Sequence, residues 1–118
     1  MYQNTIIIGN VGKDPEMRHT PQGKAVAEFS VAVNRKRGAE TETTWFRVTC
    51  WGKLAETTNQ YLKKGRQVMV IGDQLKASAW IGQDGEARAT LELTAREVRF
   101  LGGAEGEARE TESEDLPF

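Results

Sequence analysis

Between Trp45 and Lys53 the chain reads W-F-R-V-T-C-W-G-K, with an indole, a cation or a hydroxyl at every second position. In an extended strand, successive side chains point to opposite faces. Trp45, Arg47, Thr49, Trp51 and Lys53 then share one face, and Phe46, Val48, Cys50 and Gly52 share the other. The second set makes a core. The first set interleaves rings with cations, which packs badly inside a protein and is costly to leave in water without a purpose. The alternation returns twice. Lys76, Ser78 and Trp80 oppose Leu75, Ala77 and Ala79, while Arg88 and Thr90 oppose Ala89, Leu91 and Leu93. Three tryptophans among Arg47, Lys53, Lys76 and Arg88 suit an unpaired nucleic-acid strand. Each base–aromatic stack contributes about 1–3 kcal/mol whatever the base, and cations neutralise the intervening phosphates. Were the rings core instead, the cations would snorkel around them. A sugar-binding platform would set carboxylates or amides beside the rings, where the alternation puts cations.

More cations fall in segments that read as loops. Lys13 and Arg18 follow the first strand, Arg35, Lys36 and Arg37 occupy the second hairpin, and Lys63 and Lys64 follow a helix. As a set they extend a basic groove. Catalytic chemistry is poorly supplied. Gly9 and Gly12 are too close for a phosphate loop, and Asp14 follows Lys13 where a magnesium-holding hydroxyl belongs. His19 is the sole histidine and lies in a loop between prolines, and Cys50 faces the apolar side of its strand. One cysteine with one histidine excludes a disulfide framework and a zinc finger, so no cofactor or metal is expected.

The elements that position these residues can be placed by periodicity. Five segments read as strands: 1–12, 25–34, 44–53, 67–80 (bent at Gly72-Asp73) and 87–101. Loop signals fill 14–24, and RKRGAETET reads as a polar hairpin tip. Between the third and fourth strands, Leu54, Ala55, Thr58, Tyr61 and Leu62 recur at helical spacing, with Lys63, Lys64 and Gly65 suited to a helix end. Five bent strands with a helix after the third is the layout of an OB-fold barrel. The class is all-β with one helix.

The 118 residues make one domain, and no apolar run is long enough to span a membrane. Neither is there a secretory leader, which points to the cytoplasm. The net charge of −1 conceals a division. Residues 104–118 hold six acids and one base, leaving fifteen bases and eleven acids in the first 103. A basic body of residues 1–102 therefore precedes an acidic tail, 103–118, expected to be disordered.

Three stretches resemble the bacterial single-stranded DNA-binding proteins: NTIIIGNVGKDPEMRHTPQGKAVAEFSVAVN, WFRVTCWGKLAETTNQYLKKGRQVMVIG and the terminal EDLPF. The resemblance implies an OB-fold, a homotetramer, sequence-independent binding of single-stranded DNA and no catalysis. It places stacking residues at Trp45, Trp51 and Trp80. The tip Glu114-Asp115-Leu116-Pro117-Phe118 resembles the peptide with which such proteins recruit replication, recombination and repair enzymes on the bacterial nucleoid. Phe46 falls where the family makes a subunit contact, leaving core and interface both open to it. The sequence departs from the family in two places. The second hairpin lacks an aromatic, and the linker before the tip is short, so that a flexible 15-residue tail spans about 20 Å. An OB-fold adaptor that binds proteins or RNA is the alternative; such adaptors generally lack both the tryptophan–cation face and the acidic tip.

Overall fold

The computed structural model describes residues 1–102. Its elements are β1 (Thr5–Val11), β2 (Glu16–His19), β3 (Ala25–Arg37), β4 (Glu40–Trp51), α1 (Lys53–Tyr61), β5 (Gln67–Ile81) and β6 (Ala87–Leu101). β1 pairs along most of its length with β5, and at Asn10 and Val11 it crosses to β3. β3 pairs with β4, β4 runs parallel to β6, and β6 returns to β5. The circuit β1–β3–β4–β6–β5–β1 is closed, the five-stranded OB-fold barrel expected from the strand order, and β2 is added to the edge of β3.

The inward residues follow the period of two. Phe29 and Val31 of β3, Val48 and Cys50 of β4, Val68 and Val70 of β5 and Leu93 of β6 are buried in one cluster. Burial of each large aliphatic or aromatic side chain contributes about 1.5–3 kcal/mol. Phe46, open between two assignments in the sequence, is half-buried and packs against this cluster. The ends of β5 and β6 differ from the simple alternation. Ala77, Ala79 and Ala89 are exposed, because that hairpin runs past the barrel and has no core to face.

Ala55, Thr58 and Leu62 bury one side of α1 against the barrel. The Thr58 hydroxyl donates to the Leu54 and Ala55 carbonyls at 3.0 and 3.1 Å, so this buried hydroxyl is satisfied. The helix ends at Leu62 rather than at Gly65, which sits instead in the following turn. That turn is fastened to the loop after β1. Gly65 N–H donates to the Val11 carbonyl (2.8 Å), Val11 N–H to the Arg66 carbonyl (2.9 Å), and Lys64 N–H to the Asp14 carboxylate (2.8 Å). The GNVGKD and YLKKG segments are therefore two halves of one clamp.

Three further sequence expectations need correction. β2 lies inside the stretch expected to be loop; it is a short edge strand held by register with Ala25–Glu28. Arg35, Lys36 and Arg37 are on a strand rather than a tip. β3 and β4 continue to a tight turn at Gly38-Ala39, joined by cross-strand pairs such as Arg35 opposite Glu42. Lys53 is not on β4. Gly52, at φ 64°, turns the chain, and Lys53 opens α1. Among the described residues no helix is long and apolar enough to cross a membrane.

Candidate nucleic-acid interface

Residues opposite one another in paired strands project from the same face, so the register builds the outer surface row by row. One row runs Arg18, Val26, Trp51, with Val26 buried between the cation and the ring. The next runs Glu16, Glu28, Thr49, Thr94, Gln74. Then come Ser30, Arg47, Glu92 and Lys76. Trp45 follows beside Ala32 and Asn10, with Thr90 and Ser78 continuing the face on β6 and β5. Trp80 and Arg88 pair at the far hairpin. All three tryptophans thus lie on one face, at 53%, 44% and 47% exposure for Trp45, Trp51 and Trp80. Each is about half exposed. Trp45 and Trp51 are separated by about 20 Å along β4, six residues at about 3.3 Å each.

A groove of about 480 Å³ lies between Trp45 and Trp80, with Ser30, Arg47 and Thr90 among its walls. Its size is that of pockets enclosing small flat ligands, about 300–1,000 Å³. Trp45 lies close over Gly12: a Cβ there would stand 2.6 Å from the ring's Cζ3. The second glycine of GNVG accordingly makes room for an indole.

The register divides the other expected cations. Arg47, Lys76 and Arg88 are on the tryptophan face, and so is Arg18. Lys36 continues the face along the β3–β4 hairpin, whereas Arg35 and Arg37 alternate to its back, where Arg37 bridges Glu42 at 3.3 Å. Lys13 reaches the face from the loop after β1 and joins Arg47 around a second recess. Lys63 and Lys64 are held beside that loop by the clamp. Lys53 stands off the face at the start of α1. Several cations are already paired: Arg18 with Glu28 at 3.6 Å, Arg88 with Asp84 at 2.5 Å and Lys13 with Glu16 at 4.0 Å. These are surface pairs of small worth.

Sequence reasoning missed three residues of this surface. Lys24 sits 6.0 Å from the centroid of Trp51, at cation–π distance. Its signal was its place one residue before β3. Glu28 and Glu92 put carboxylates among the cations, visible in the sequence as the lone acids of AVAEFSVAV and LEL. Cys50 is buried, and burial pushes its thiol up to about 12, with the Thr58 hydroxyl working the other way. It has no thiolate for chemistry near neutrality. The tip residues Glu114 to Phe118 lie outside the described residues.

Residues 2–101 match the model of the single-strand binding protein family. Two single-stranded DNA-binding proteins of Neisseria meningitidis, from serogroups A and B, are each 42% identical over 103 residues, covering 83% of this chain and 59% of theirs. One from Treponema pallidum is 36% identical over 113 residues, covering 92% of this chain and 63% of its own. This chain thus spans about three fifths of the length of the curated relatives it matches. The family match takes in every strand of the barrel and the whole tryptophan face, and the chain belongs to the single-strand binding protein family.

Proposed function

We propose that this protein binds single-stranded DNA without requiring a defined sequence, and that the face carrying Trp45, Trp51 and Trp80 is where it does so. One observation carries the reading: three half-exposed indoles share a surface with Arg18, Arg47, Lys76 and Arg88, and stacking of this kind needs unpaired bases. The names of the relatives point the same way. The test is a titration of tryptophan fluorescence with poly(dT) and with duplex DNA at two salt concentrations. Quenching by poly(dT), with far weaker binding to duplex, is expected. Trp51→Ala should cost about 1–3 kcal/mol. Equal affinity for both forms refutes the reading.

The wider role is also a proposal: protection of single strands in replication, recombination and repair, on the nucleoid in the cytoplasm. Residues 1–102 serve as the DNA-binding body and 103–118 as the segment that recruits partner proteins. The support for recruitment is the composition of the tip, where Glu114 and Asp115 precede Leu116-Pro117-Phe118. Acids steer such a peptide to a basic rim while the ring fills an apolar pocket. Removal of Phe118 should leave DNA binding intact and abolish capture of genome-maintenance enzymes; unchanged capture counts against it. Homotetramer formation is supported by the far side of the barrel. There Ile6, 52% exposed, lies opposite Ile71 on the outer surface of β1 and β5, next to half-buried Ile8. Sedimentation at micromolar concentration showing only a 13.1 kDa species refutes assembly.

A further inference from the structure

Beside the groove between Trp45 and Trp80 lies a second recess, of about 200 Å³, lined by Lys13, Glu16, Glu28, Phe29, Ser30 and Arg47. Ser30 and Arg47 wall both spaces, so the two are adjacent. The recess is smaller than the roughly 300–1,000 Å³ of pockets that enclose a whole small ligand. It takes the edge of one ring. Its chemistry differs from the rest of the face, because the Glu28 side chain, about one-third exposed at 31%, projects there opposite Glu16 of β2. Arg18 holds Glu28 from one side at 3.6 Å, and Lys13 holds Glu16 at 4.0 Å.

Arg18 and Lys13 neutralise the two carboxylates, which cannot themselves bond a phosphate, so a strand crossing this row with its phosphates against Arg47 and Lys13 has a base edge left to meet Glu28. A carboxylate accepts hydrogen bonds and offers none at neutral pH. Cytosine presents its N4 amine as a donor, whereas thymine presents the O4 acceptor at the same place. We propose that Glu28 forms a base-edge subsite that favours cytosine over thymine at one position along the bound strand. The subsite rests on the reading of this face as a single-stranded DNA surface. It adds a modest compositional preference to a binding mode that reads no sequence, and pyrimidines are favoured by the size of the recess.

The experiment measures dissociation constants of fluorescently labelled dC and dT oligomers of equal length, for the full chain and for Glu28→Gln and Glu28→Ala. Gln keeps the shape of the side chain, but its amide donates to thymine O4 as readily as it accepts from cytosine. The preference for dC over dT should therefore fall by about fivefold in Glu28→Gln, the order expected from one hydrogen bond to a partly solvated charge. In Glu28→Ala it should fall at least as far. If both variants bind both oligomers more tightly by one common factor, the carboxylate merely repels the strand and the subsite is refuted. An unchanged ratio with unchanged affinities refutes it equally. If the full chain binds neither oligomer, the DNA-binding reading of the face fails together with the subsite, a result distinct from both.

Discussion

On the proposed reading of the tryptophan face, Gly12 offers a way to move the Trp45 ring without replacing it. An alanine Cβ at this position would stand 2.6 Å from Cζ3 and 3.0 Å from Cη2 of Trp45. Carbon–carbon contacts settle at about 3.5–4.0 Å, so the indole must lift or tilt by about 1 Å. The Ser30 hydroxyl, also 3.0 Å from the added carbon, has to rotate. The backbone at residue 12 is not left-handed, so alanine adds crowding without conformational strain. If Trp45 stacks a base as proposed, Trp45→Ala should cost about 1–3 kcal/mol. Gly12→Ala displaces the same ring from its seat and should cost up to that amount, about 1 kcal/mol or roughly fivefold in affinity. Because both substitutions act through one ring, the double variant should bind little worse than Trp45→Ala alone. That gives a coupling of about 1 kcal/mol in a double-mutant cycle. Anisotropy of a labelled dT oligomer supplies all four affinities. Additive losses refute the reasoning, since they would mean that Gly12 influences binding by a route other than Trp45.

Two further outcomes follow from the charges and the buried thiol. Arg47→Ala should make the slope of log affinity against log salt shallower by about 0.7, the value for one phosphate on a single strand. Arg88→Ala should change it less, because Arg88 is bridged to Asp84; equal slopes for both variants and the parent exclude phosphate contacts at either. The pKa of Cys50 is 9.0 for an unperturbed thiol and about 12 in the folded chain. Folding holds the proton, so the thiol's contribution to stability is whole below pH 9 and is lost as pH rises toward 12. Melting temperatures across that range should fall more steeply for the parent than for Cys50→Ala, and parallel curves refute the shift.

The sequence made the site legible wherever a strict period of two operated. On β4 each tryptophan and Arg47 landed on its observed face, and β6 begins and ends where alternation places it. The bend at Gly72 is a true irregularity in the pairing of β5 with β6. What escaped were elements not marked by apolar residues. β2 consists of Glu, Met, Arg and His, and only Met17 packs on the core, so no hydrophobic pattern announced it. The arms of the β3–β4 hairpin are held by backbone pairing and by contacts such as Thr43 to Asn34 at 2.7 Å, which composition reads as loop. Lys53 was misplaced because alternation was carried through Gly52, where the chain turns. Glu28 and Glu92 were visible as letters, yet only the register across β3, β4 and β6 shows that they share a surface with Arg47.

The closure of the barrel also has a kinetic meaning. Its seams join residues far apart in the chain: β1 to β5 across about sixty positions, and Gln3 to the Leu75 amide across 72. Chains dominated by such distant pairings fold slowly, in milliseconds to seconds, because loop entropy is lost before contacts repay it. Trp45 and Trp80 sit on β4 and β5, which β6 bridges directly, and the parallel seam of β6 with β4 is itself long-range. The groove between Trp45 and Trp80 exists only once that seam has formed, and a ligand seated in it would shift the folding equilibrium of the whole chain toward the native state.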